Sequence, residues 1–130
     1  MKRVKILNAI ACEYVASGAY GKHSLVNVYA GDILVEHFPA RIPLAFYIEL
    51  LPDRALPKSI DIAVTENRKK RLELNVDVEF PEGHPGLLIL PQMALAMNKD
   101  TEVRLVASGE GVRPTTLKRI KISVGPILRA

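Results

Sequence analysis

Ser59–Phe80 reads SIDIAVTENRKKRLELNVDVEF. From Ser59 to Glu66, Ile60, Ile62 and Val64 alternate with Asp61, Ala63 and Thr65. From Arg71 to Phe80, Leu72, Leu74, Val76, Val78 and Phe80 alternate with Arg71, Glu73, Asn75, Asp77 and Glu79. A period of two sends successive side chains to opposite faces of a strand, so each run has one buried and one wet face, the mark of an antiparallel sheet. Only Asn67–Lys70 separates the two runs, a length at which an antiparallel hairpin is expected. Arg68, Lys69, Lys70 and Arg71 would then crowd its tip, where four like charges stay hydrated and discourage edge pairing.

Outward from this hairpin the chain keeps the same grammar. Short apolar runs bounded by Gly, Pro, Asn or Asp recur at the spacing of an all-β domain. The expected strands are about Arg3–Tyr14, with Val4, Ile6, Ile10 and Cys12 on one face, then His23–Ala30 and Asp32–His37. Leu44–Leu51 follows, dense enough in apolar residues to be a central strand covered on both faces. Pro39 and Pro43, which donate nothing to a ladder, mark a sheet edge or a crossing between sheets. LLILPQMALAM, Leu87–Met97, is ambiguous: Met, Ala, Leu and Gln are good helix formers and Pro91 suits a first turn, so a short helix from about Pro91 to Met97 is the alternative to the preferred extended reading. Thr101–Ser108 and Leu117–Val124 complete the set. Seven to nine strands in residues 1–130 imply one domain, an antiparallel two-sheet sandwich of immunoglobulin-like kind.

Composition narrows the function classes. The chain is 48% hydrophobic and 25% charged, which argues against disorder, and it has no apolar run of the length that spans a membrane. The net charge is +4, and without Arg68–Arg71 the remainder is balanced. Nucleic-acid-binding domains usually spread their cations over a face, with aromatic platforms for single strands, and this chain has no Trp. A second basic strip, Arg3 and Lys5 with Arg119 and Lys121, requires the first and last strands to be neighbours. The single cysteine, Cys12, excludes an internal disulfide and fits a reducing compartment. MKRVKILNAIAC imitates a lipoprotein signal, but Ile6–Ala11 is too short an apolar stretch for one.

Catalytic and metal motifs are not evident. His23, His37 and His84 lack the paired spacing of zinc sites, and Glu79, Glu82 and His84 surround a Pro-rich loop that reads as a solvated turn. Asp32 and Glu36 would share one face of a strand, where a wet surface is the plainer reading than an acid/base pair. Cys12 sits among Ala9, Ile10 and Ala11, which favours an inert buried thiol. Gly18 and Gly21 have neither the spacing nor the following helix of a phosphate loop.

Cys12–Glu13, Gly21–Lys22, Ser24–Leu25, Tyr29, Phe38–Pro39 and the alternating run Phe46–Leu50 together resemble a family of small bacterial β-sandwich domains of unknown function. That family opens with a Cys-acidic pair, a Gly-Lys-x-Ser-Leu segment and Phe-Pro before a central strand. The resemblance implies a β-sandwich in the bacterial cytoplasm, without a cofactor or catalytic residues to carry over. It favours an extended Leu88–Met97 and places Cys12 inside a strand. The chain departs from the family at the basic tip, where an acidic or Gly-containing turn is expected.

The expected function is a non-catalytic interaction or assembly module that presents loops or an edge strand to a protein partner or a second copy, with no cofactor and no membrane. A nucleic-acid or anionic-surface binder using Arg68, Lys69, Lys70 and Arg71 is the alternative. An enzyme gathering Cys12, a histidine and a carboxylate is the third reading.

Overall fold

The computed structural model describes residues 3–53, 56–80 and 84–126. Nine strands occur among them: β1 (Ile6–Ser17), β2 (His23–Val28), β3 (Ile33–Val35), β4 (Ala40–Leu50), β5 (Ser59–Glu66), β6 (Lys69–Asp77), β7 (Gly86–Met97), β8 (Thr101–Gly109) and β9 (Val112–Val124). They form a four-stranded sheet, β2-β1-β4-β7, and a five-stranded sheet, β3-β9-β8-β5-β6. Every pairing is antiparallel except that of β3 with β9. The ambiguous Leu87–Met97 stretch is strand, and no helix among the described residues is long and apolar enough to cross a membrane.

The core lies between the sheets and draws on both. β4 contributes Ile42, Leu44, Phe46, Ile48 and Leu50, and β7 contributes Leu88, Leu90, Leu95 and Met97. Ile60, Ile62 and Val64 of β5 face them, with Val103, Leu105, Ile120 and Ile122 of β8 and β9. Alternation from the opening hairpin therefore places its apolar side chains as expected. In β1 it does not. An irregularity between Ile6 and Asn8 shifts the phase, so that Ala11 enters the core while Ile6 is exposed and Cys12 is buried outside the core cluster.

Pro43 explains the path of β1. It lies in β4, opposite Ala94 of β7, just past the crossing from β3 in one sheet to β4 in the other that Pro39 and Pro43 are expected to mark. Tyr29 Oη donates to its carbonyl at 2.6 Å. In an extended strand the N–H and C=O of a residue point to the same side, so the donor that Pro43 lacks is missing on the flank facing β1. The β1–β4 ladder ends at Cys12–Ala45, and the Tyr29 hydroxyl satisfies the carbonyl left beyond it.

Past that point the β1–β2 hairpin leaves the ladder and lies over the outer face of β4 and β7. Gln92 Nε2 donates to Glu13 O at 2.9 Å, and the His23 ring stands 6.0 Å from that of Tyr47. Ala45 and Cys12 are fully buried although they lie outside the core cluster, so the outer face of β4 is covered at Ala45, whereas Tyr47 and Glu49 are half-buried and Leu51, past the end of the strand, is exposed.

Burial pushes the Tyr29 hydroxyl up to about 12, and the nearby Glu13 and Cys12 act in the same direction. Its folded pKa then exceeds that of an unfolded tyrosine, about 10, so the unfolded chain loses this proton first. The stabilisation is complete below that value and is lost as pH rises toward 12. Urea unfolding between pH 9 and 12 should show this fall, and Tyr29→Phe should reduce it, leaving the part carried by Cys12 and Tyr47, whose pKa burial also raises, while costing about 1 kcal/mol at neutral pH through the lost hydrogen bond.

The borders of the sheets are closed by different means. β6 carries exposed charge, β3 has three residues, and β2 ends at Asn27 and Val28 with Asn27 at φ 52°. β7 contains Pro91 and an extra residue opposite Ala45, a bulge that interrupts a regular edge.

Candidate functional site

The β5–β6 turn is tighter than Asn67–Lys70. Glu66 pairs with Lys69, leaving Asn67 and Arg68 as a two-residue loop, and both have positive φ, 48° and 69°. This is the turn geometry whose twist matches that of paired strands. Asn67 tolerates it and is tied on two sides to β8: its N–H donates to Glu102 O at 2.8 Å, and its Oδ1 accepts from Glu102 N at 2.9 Å. β6 begins at Lys69 and ends at Asp77, three residues before Phe80, which still packs against the core.

A bulge follows the turn. Val64 pairs with Leu72 and Thr65 with Lys70, so Arg71 is the extra residue. An extra residue changes which side the neighbouring side chains take. Lys70 meets Glu73 at 3.1 Å, whereas Lys69 and Arg71 line a cleft of about 540 Å³.

The cleft lies where this turn approaches the loop that carries the chain from β7 to β8. Met97, Asn98, Lys99 and Thr101 form its other wall. Thr101 Oγ1 donates to Lys99 O at 2.8 Å and holds that loop. Met97 and Thr101 are buried at the floor, and Lys69 and Lys99 are exposed at the rim. Arg71 Nε lies 3.3 Å from Glu66 Oε2; Arg71 is 57% exposed and Glu66 16%. Glu66 Oε1 is buried with no hydrogen-bond partner among the described residues. Three cations and one half-paired carboxylate thus line the same cleft, with Arg71 alone against Glu66. Neither Lys69 nor Lys99 has an acidic partner among the described residues.

Of the four cations singled out in the sequence, two line the cleft, Lys70 pairs on β6, and Arg68 occupies the turn apex. Lys99, Asn98 and Glu66 are the site residues that sequence reasoning missed. NKDT reads as a turn, but nothing in it reveals which other turn it will face.

The remaining candidates disperse. Asp32 precedes β3 and Glu36 follows it, so they do not share a strand face, and Asp32 Oδ1 accepts from Lys121 N at 3.1 Å. The strip of Arg3, Lys5, Arg119 and Lys121 does not form: β1 and β9 belong to different sheets, and Arg119 lies 3.7 Å from Glu102. Cys12 is 0% exposed, its Sγ faces Tyr14 O at 3.4 Å, and burial raises its thiol pKa. Among the described residues no group of His, Cys, Asp and Glu could hold a metal ion; Glu82 lies outside them. A second hollow, between Leu50, Ile60, Val76 and Leu88, measures about 10 Å³, room for one water.

The chain matches no known protein-family model, no curated protein and no solved structure.

Proposed function

We propose that the protein is a non-catalytic binding module that grips an acidic segment of a partner protein, and that it works in the reducing interior of a bacterial cell. The observation that carries this reading is the convergence of Lys69, Arg71 and Lys99, from two turns, on one cleft. Exposed cations steer an anionic partner and fix its register, while the floor offers side chains rather than a flat charged surface. The blunted borders turn the reading away from edge-strand addition and toward the loops at this end. The single buried thiol of Cys12 accords with a reducing compartment.

The test is fluorescence anisotropy with a labelled, N-acetylated hexaglutamate peptide at low salt. Lys69→Glu combined with Lys99→Glu should weaken binding by about tenfold or more, and added salt should weaken the wild-type complex. Lys70→Glu, on a residue already beside Glu73, should leave affinity within about twofold, as for a solvated surface charge. Absence of peptide binding sinks the proposal. An equal loss in the Lys70 variant would remove the cleft from it. Tighter binding of a single-stranded oligonucleotide of equal charge would return the function to nucleic acid.

A further inference from the structure

A cleft built only to attract negative charge has no use for a carboxylate among its cations, yet Glu66 lines this one. Its side chain is 16% exposed, Arg71 engages Oε2 alone, and Oε1 is buried without a partner among the described residues. An unsatisfied buried acceptor is destabilising, and such atoms in native structures call for an explanation. β5 fixes the position of Glu66, which pairs with Lys69 on β6 and Val103 on β8. The charge is therefore held at the cleft by strands on both sides.

Resting on the cleft being the binding site, we infer that Glu66 is its specificity-determining residue and selects a peptide over a DNA backbone. The terminal torsion of a glutamate is broad and two-fold, so the carboxylate can turn an oxygen toward a donor entering the cleft. An extended peptide supplies backbone N–H groups beside its acidic side chains. Its carboxylates meet Lys69 and Lys99 at the rim, Arg71 turns from Glu66 to the ligand, and a backbone N–H donates to Glu66. A DNA backbone brings the same negative charge but has no donor to offer. Its phosphates meet the Glu66 charge uncompensated, and like charges in such a setting are a device for rejecting the wrong partner.

The experiment compares wild type with Glu66→Gln, using the N-acetylated hexaglutamate peptide and a thymidine oligonucleotide of equal charge, by anisotropy at one salt concentration. Gln keeps the shape and an acceptor while removing the charge. Wild type should prefer the peptide by about tenfold, the scale of one charge-assisted hydrogen bond. In Glu66→Gln the oligonucleotide should tighten by about tenfold and the peptide should stay level or weaken, as expected when a repulsive element is removed along with that bond. Parallel tightening of both ligands would reduce Glu66 to a general negative charge and overturn the inference while leaving the binding site intact. Equal wild-type affinity for both ligands overturns it as well. If wild type binds neither ligand, the proposed function itself fails.

Discussion

Phe46→Ala should lower the unfolding free energy by about 3–5 kcal/mol, the range for removing a buried aromatic ring from a core. Phe46 is 1% exposed on β4, which pairs with both β1 and β7. Ala11 lies opposite it on β1 and Leu90 on β7. Pairing on both flanks restrains the backbone, so the strand can close little of the cavity, and the cost should fall toward the upper end of the range. Total stability for a domain of this size is about 5–15 kcal/mol, so the variant should be marginal or unfolded at 37 °C. The measurement is the urea midpoint at constant slope. Leu7→Ala, on a residue 55% exposed, should change stability by no more than about 0.5 kcal/mol. Similar losses for the two variants would mean that the sandwich is not packed around Phe46.

Asn67→Ala should cost about 2 kcal/mol and weaken acidic-peptide binding although no cation is changed. Two effects add: alanine is strained in the left-handed region by about 1–2 kcal/mol, and the loss of Oδ1 leaves Glu102 N–H without its partner. Asn67→Gly separates them, because glycine accepts the positive φ and loses only the side-chain bond; its cost should be about 1 kcal/mol. Both variants should loosen the turn that holds Lys69 and Arg71 opposite Lys99. Thermal unfolding and peptide titration on the same samples test this. Unchanged affinity in Asn67→Ala would show that the turn does not position the cations.

Much of the sandwich is legible in residues, because alternation is a local signal that burial enforces. Ile60, Ile62 and Val64 face Leu72, Leu74 and Val76 as their spacing requires, and Leu44–Leu51 is central as its apolar density suggests. What escaped depends on single residues that alter phase. The irregularity at Ile6–Asn8 moves Cys12 off the core face, and the extra residue Arg71 redistributes the basic run. Neither is announced by a glycine or a proline. Pro43 does announce itself, but whether its missing donor falls on the flank of β1 or of β7 depends on strand order, which periodicity does not encode. The cleft was half visible for the same reason: RKKR is conspicuous, whereas Lys99 becomes relevant only when the chain's passage between sheets sets it across from Lys69.

The blunted borders carry a consequence for how the molecule behaves in a crowd. Unprotected sheets join through backbone bonds that any sequence can make, and such unions are hard to reverse and indifferent to partner. Here charge, brevity, a proline and a left-handed asparagine deny that route border by border. Crowded copies should then resist joining through their sheet edges. Attachments through the cationic end would be made side chain by side chain and undone by ionic strength.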